Sequence, residues 1–277
     1  MRQVTLPSGE QVPVLGQGTW GWGEDPGRRS DEIATLRTGL DLGLTLVDTA
    51  EMYAGGGAEE VLGEALAGRR DEAFLVDKVL PSHASRSGTI AACERSLERL
   101  RTDRIDLYLL HWQGRYPLAE TLAAFQRLVD DGKIRYWGVS NFDHVALAEL
   151  LDVPGGAGLT TDQVLYNLSR RGPEHDLLPW CEDHGLPVMA YSPIEQGRIL
   201  NDATLRDVAT AHGVSPAAAA LAWVLRRDGL CTIPKASSPR HVRDNAAALD
   251  VELTREDLQA LDRAFPPPSG PRPLEML

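Results

Sequence analysis

Long apolar runs are missing from this chain. The longest, Ala217 to Leu225, has nine residues, about half of the roughly 18 that a membrane span needs. No apolar stretch follows Met1-Arg2-Gln3, so no signal peptide is expected. Cysteine is scarce: Cys93, Cys181 and Cys231 are odd in number and lack paired spacing. That argues against a disulfide framework and fits a reducing, cytoplasmic compartment. Positive charge is in deficit, with a net charge of −12. The field of such a protein repels nucleic acid and anionic membrane, so neither is an expected partner, and an anionic ligand could bind only in a locally basic pocket. Lysine is nearly absent: of 28 basic residues only Lys78, Lys133 and Lys235 are not arginine. Each is therefore a candidate for a position that needs a compact ammonium. No repeat, low-complexity tract or linker divides the 277 residues. Residues 1–277 read as one domain, expected as a monomer or weak homo-oligomer.

Short apolar runs alternate with amphipathic stretches. The runs are Thr45–Asp48, Phe74–Lys78, Ile105–Leu110, Tyr136–Val139, Asp162–Val164, Pro187–Tyr191 and Leu230–Ile233, with a weak eighth at Ala247–Leu249. Their polar ends are Asp48, Lys78, His111, Ser140, Gln163 and Tyr191, spaced by 30, 33, 29, 23 and 28 residues. Each interval is the size of one βαβ unit, which predicts a parallel sheet faced by helices. Eight units fit a (β/α)8 barrel; a doubly wound open sheet is the competing architecture. Val4-Thr5-Leu6, Pro7-Ser8-Gly9-Glu10 and Gln11-Val12 predict an N-terminal hairpin that caps the barrel floor. Pro266 to Pro271 is a stiff C-terminal loop.

Several motifs mislead. Gly16-x-Gly18-x-x-Gly21 matches a dinucleotide fingerprint by letter, but Trp22-Gly23-Glu24-Asp25-Pro26 cannot open a helix, so it reads as a Gly-rich loop at the barrel mouth. Gly138-Val139-Ser140-Asn141-Phe142 lacks the last glycine of a nucleophile elbow. Cys181-x-x-His184 has no partner pair for a metal and reads as a helix face. Gly55-Gly56-Gly57 precedes Glu59-Glu60, which repel a phosphate, and reads as a turn.

In a parallel barrel all strand ends meet at one face. Asp48, Tyr53, Lys78 and His111 would then converge. Singly, Asp48 could cap a turn and His111 could be a core histidine. Together they form a proton-transfer device. The Lys78 ammonium, held charged by Asp48, is expected to lower the Tyr53 phenol from its free value near ~10. A neutral His111 would orient a carbonyl oxygen.

These residues resemble the aldo-keto reductase family, especially its bacterial branch acting on methylglyoxal or diketo sugar acids. The likeness spans nearly the whole chain: Leu15–Trp20, Asp48–Tyr53, Asp77-Lys78, Asp106–Trp112, Gly132–Arg135, Gly138–Phe142, Gln163, Ala190–Pro193 and Ile233–Lys235. The resemblance implies a (β/α)8 barrel that binds NADPH extended, without a Rossmann domain, and reduces small carbonyls. It implies a catalytic tetrad of Asp48, Tyr53, Lys78 and His111, with Tyr53 as general acid. Ser140, Asn141 and Gln163 would hold the nicotinamide carboxamide, Tyr191 would stack on its ring, and Ser192 follows in the same loop. Lys235 would face the adenosine 2′-phosphate, favouring NADP over NAD. Ala236 and His241 depart from the family there; Ser237, Ser238, Arg240 and Arg243 could compensate, and Asn245 completes the cofactor set. Asp162 stands where the family often has asparagine. Trp20, Trp22, Trp112 and the C-terminal segment are expected to wall the substrate pocket; no metal is expected. Two other readings stand beside the reductase: a cofactor-binding regulatory subunit with little turnover, and a hydrolase using Asp48 and Glu51 as paired carboxylates, which leaves Lys78 without a role.

Overall fold

The structure is a computed structural model that describes residues 2–277. A hairpin opens the chain: β1 (Gln3–Thr5) pairs antiparallel with β2 (Gln11–Pro13). Then β3 (Gln17–Gly18), α1 (Arg29–Asp41), β4 (Leu46–Asp48), α2 (Gly57–Ala65), β5 (Phe74–Val79), α3 (Arg86–Leu100) and β6 (Ile105–Leu110) follow in alternation. The alternation continues with α4 (Leu118–Asp130), β7 (Ile134–Ser140), α5 (His144–Leu151), β8 (Leu159–Leu165), α6 (Leu177–Asp183) and β9 (Val188–Tyr191). It ends with α7 (Ala203–Ala211), α8 (Pro216–Val224), β10 (Leu230–Thr232), α9 (Pro239–Ala246) and α10 (Arg255–Ala264). No regular element follows α10, and the proline-rich tail runs as a loop. Among the described residues no helix is long and apolar enough to cross a membrane.

Strands β3 to β10 form one parallel sheet in sequence order. Its ends meet, because Leu15 bridges Thr232 and Gly18 bridges Lys235, both parallel. The (β/α)8 expectation is therefore met, and the open sheet is excluded. Strands β5, β6 and β8 are buried on both faces, as expected where helices cover a sheet whose other face is filled. The hairpin side chains Val4, Leu6, Val12 and Val14 share one apolar cluster with Leu46, Val76, Leu107 and Leu109. The hairpin thus plugs the barrel floor and leaves the C-terminal strand ends open.

One strand assignment needs correcting. Ala247–Leu249 lies in a 3-10 turn, Ala247–Asp250, and is not a strand. The remaining barrel strand is β3, inside the segment expected to be only a glycine loop. A Cβ on Gly18 would stand 2.6 Å from the Ile233 carbonyl oxygen, and one on Gly16 would stand 2.5 Å from that of Leu46. The glycines allow the close backbone approach that closes the barrel. The dinucleotide reading also fails on structure, since no α-helix begins before Arg29.

Candidate active site

Strand geometry delivers the polar ends to one mouth. Asp48 ends β4, Lys78 is the penultimate residue of β5, and His111 follows β6 directly. Ser140 ends β7, Gln163 lies on β8 and Tyr191 ends β9. Alternation along β5 turns Lys78 inward and Asp77 outward. Tyr53 comes from the turn after β4, where its N–H donates to the Ala50 carbonyl at 3.0 Å.

Lys78 is 0 % exposed. Its Nζ lies 2.8 Å from each Asp48 carboxylate oxygen, 2.7 Å from the Thr49 carbonyl and 3.2 Å from the Tyr53 hydroxyl. An ammonium only donates, so the Tyr53 oxygen must accept. The phenol proton finds no acceptor within the described chain and is free for a ligand. Burial disfavours the Lys78 charge, but Asp48 and Tyr53 outweigh it and hold the ammonium above the ordinary lysine value. Burial raises Asp48 above the usual carboxylate value, against the pull of Lys78 and of Gln163, whose Nε2 donates to Oδ1 at 2.7 Å.

The expected lowering of the phenol does not hold. Tyr53, 8 % exposed, is raised by burial first; Lys78 pulls it down, but Asp48 beside the lysine pushes it back up. The sequence names the ammonium but not the depth at which the pair sits. His111 is neutral, as expected: burial and then Lys78 push its imidazole down to about 3. Its Nδ1 is buried without a hydrogen-bond partner.

Around this centre Ser140 Oγ donates to the Gln163 carbonyl at 2.8 Å. Asn141 Nδ2 donates to the His111 carbonyl and to Ser140 Oγ, each at 3.0 Å, and Asn141 Oδ1 accepts from Tyr191 at 2.9 Å. Asn141 and Ser192 take left-handed backbone angles, with φ of 62° and 51°. Such conformations in non-glycine residues need support from their surroundings. Ser192 has it: its carbonyl accepts from Asn167 Nδ2 at 2.9 Å and from the Glu195 N–H at 2.9 Å.

The tryptophans divide. Trp20 is 52 % exposed and meets the Tyr53 ring edge-on at 5.0 Å between centroids. Trp112 tilts against His111 at 4.8 Å. Trp22, expected on the pocket wall, is only 1 % exposed, and its indole N–H donates to the Ala236 carbonyl at 3.3 Å. It supports the loop after β10 and offers no face to a substrate.

That loop carries the other candidates. Lys235 is exposed. Ser237 Oγ lies 2.9 Å from His241 Nδ1, while Ser238 caps α9 by accepting from the His241 N–H at 3.3 Å. Arg240 is exposed with Asp244 4.0 Å away, and Asn245 is buried on α9. Sequence reading missed Arg28, whose Nη2 donates to the Ser237 carbonyl at 3.0 Å across 209 residues; no local pattern signals such a contact.

Other readings lose support. Glu51 Oε1 accepts from the Leu80 N–H at 2.8 Å and sits 2.9 Å from His83 Nδ1, so it is committed away from Asp48. Among the described residues no metal-holding cluster occurs; Cys181 is buried and His184 stacks on Trp180. A polar depression of about 640 Å³ lies at the opposite, hairpin end. There Arg135 is paired with Glu10 and Asp106, and Arg104 with Asp71.

Asp162 is fully buried; its Oδ1 only faces the Phe142 N–H at 3.5 Å, and its Oδ2 has no partner. Burial raises it well above the usual carboxylate value. An acid raised in the folded state stabilises below its unfolded value and loses that contribution as pH climbs through the folded one. Asp162→Asn is therefore expected to gain on the parent in thermal midpoint as pH rises from 5 to 8, with each kcal/mol worth about 2–4 °C. Melting curves across that range check it; a constant gap would mean that Asp162 is ionised throughout.

A parallel eight-stranded barrel whose mouth joins a buried lysine–aspartate pair to a free phenol can give a proton to an oxygen. The sequence profile described as "Aldo/keto reductase family" matches residues 14–265. The chain is 52 % identical over a 281-residue alignment to the methylglyoxal reductase YeaE of Escherichia coli, covering 100 % of this chain and 99 % of that one. It is 34 % identical over 278 residues to the glyoxal reductase of Bacillus subtilis, covering 99 % and 97 %. A solved aldo/keto reductase from Klebsiella pneumoniae, in complex with NADP and acetate, superposes with a TM-score of 0.97 at 50 % identity, covering 99 % of each chain. The chain belongs to the aldo/keto reductase family.

Proposed function

We propose that this protein, acting as one barrel domain in the cytoplasm, reduces small aldehydes, ketones or dicarbonyls to alcohols with NADPH. The observation that carries this reading is the Tyr53 hydroxyl, held on the Lys78 ammonium at 3.2 Å with its own proton uncommitted. The residues fit the cofactor. Ser140, Asn141 and Gln163 present amide and hydroxyl groups that match a carboxamide, which has one acceptor and two donors. Tyr191 is half-buried beside them and can flank a flat ring. Lys235, Ser237, Ser238, Arg240 and Asn245 border the segment that would take the adenosine end. The similarity to a methylglyoxal reductase and to an NADP-bound structure points the same way.

When bound, the cofactor supplies a hydride to the carbonyl carbon. The chain's part is the oxygen. Neutral His111 and Tyr53 orient it, and Tyr53 donates the proton as negative charge develops there. An alkoxide is a far stronger base than a phenolate, so even a burial-raised phenol is acid enough. Lys78 then stabilises the phenolate, and Asp48 keeps Lys78 charged and in place. Trp20 and Trp112 give the mouth aromatic walls suited to small carbonyls.

The direct test follows NADPH absorbance against a panel of small aldehydes, ketones and dicarbonyls that includes methylglyoxal. Oxidation of NADPH with at least one class is expected. Tight NADPH binding with no turnover on any would support the regulatory-subunit alternative instead. The pH profile adds a check. Reduction needs the phenol protonated, so kcat/KM holds below the Tyr53 value and falls as pH rises through it. Because burial raises Tyr53 and holds His111 near 3, the profile should be flat from pH 6 to 9. A limb near the free imidazole value of about 6.5 would assign the proton to a histidine.

A further inference from the structure

Two cations stand together at the adenosine end of this site without an acid of their own. Of the three lysines, Lys78 pairs with Asp48 and Lys133 with Glu94, but Lys235 has no carboxylate within ion-pair distance among the described residues. Arg28 has none either, and its hydrogen bond goes to the Ser237 carbonyl, two residues past Lys235.

The placement of Arg28 is built. It ends the turn Pro26–Arg28, which Asp25 caps by accepting from the Gly27 N–H at 2.8 Å, and its own N–H donates to the Asp25 carbonyl at 3.0 Å. The Trp22 indole, bonded to the Ala236 carbonyl, ties the same two loops one residue away. Although Lys235 is exposed as a residue, partial shielding of its ammonium from solvent, and then Arg28, hold it below the ordinary lysine value, with Glu32 and Glu24 acting against them. Glu32 is occupied with the Gly23 N–H at 3.1 Å. Holding two like charges close is unfavourable until an anion joins them. A guanidinium offers five donors in a fixed fork and an ammonium a point charge, a pairing suited to a phosphate monoester.

We propose that Arg28 is the second cation for the cofactor's 2′-phosphate and, with Lys235, sets the preference for NADPH over NADH. This rests on the NADPH reading above. Arg28 sits outside the segment from which the sequence assigned that phosphate, so the first loop of the barrel becomes a determinant of cofactor choice. NADH carries only a hydroxyl at the 2′ position and gives Arg28 nothing to bind.

The test is quenching of tryptophan fluorescence by NADPH and NADH, with adenosine 2′,5′-bisphosphate and AMP as competing probes. Arg28→Gln is expected to weaken NADPH and the bisphosphate by about ten-fold, the scale of one charge-assisted hydrogen bond. NADH and AMP should change less than two-fold, and the salt dependence of NADPH binding should become shallower. Arg28→Lys, which keeps a charge, should fall between. Equal weakening of both cofactors by Arg28→Gln would overturn the proposal in favour of a loop-bracing role. So would no change in either while Lys235→Met still lowers NADPH affinity. If the unaltered protein binds NADPH no better than NADH and Lys235→Met changes neither, the NADPH reading itself fails.

Discussion

Tyr53→Phe is expected to slow carbonyl reduction by about a hundred- to ten-thousand-fold, the usual worth of a positioned general acid. NADPH affinity and thermal midpoint should stay close to those of the parent. The substitution removes one oxygen and keeps the ring, so the edge contacts to Trp20 at 5.0 Å and His111 at 6.0 Å survive. Lys78 also survives the loss. An ammonium has three protons, and the carboxylate of Asp48 with the carbonyl of Thr49 still accepts from it at 2.7–2.8 Å. The Tyr53 contact is the longest of the four. Stopped-flow NADPH oxidation for turnover and fluorescence quenching for affinity separate the effects. Loss of binding in step with loss of turnover would make Tyr53 a structural post. Retained turnover would move the proton donor elsewhere.

The sequence makes the mouth of the barrel legible because its chemistry sits at the ends of continuous apolar runs. Asp48, Lys78, His111, Ser140 and Tyr191 each lie at or beside the end of such a run, Gln163 lies near the end of β8, and a parallel sheet gathers such ends by construction. What stays hidden depends on depth or on contacts far apart in the chain. Strand β3 has two residues and sits close to its neighbours through glycine backbone, so no periodicity marks it. Ala247–Leu249 has the apolar letters of a strand but belongs to a turn. Trp22 has the composition of a pocket wall, yet its direction is set by the loop after β10. The Tyr53 value follows from a balance of burial, Lys78 and Asp48, and only the partners appear in the sequence.

Lys78→Met is expected to lower both stability and turnover, and the two losses should part company in a double variant. Lys78 has no exposure, and removing one partner of a buried ion pair costs about 3–5 kcal/mol because the other charge is stranded. For a chain of this size that is on the order of 10 °C in thermal midpoint. Asp48 would keep only Gln163 Nε2, at 2.7 Å. Burial already raises Asp48, and losing Lys78 raises it further. Its neutral form then stabilises at low pH, and that contribution is lost as pH rises through the folded value. The single variant should therefore melt progressively lower from pH 5 to 8 relative to the parent. Adding Asp48→Asn removes the stranded charge, so Lys78→Met with Asp48→Asn should recover much of the lost midpoint at pH 8 and flatten its pH dependence. Turnover should stay low, because nothing then steadies the Tyr53 phenolate. Melting curves and NADPH oxidation on the same three proteins decide the matter. Turnover restored along with stability would reduce the pair to a brace for the barrel, whereas stability restored alone assigns Lys78 to the proton transfer.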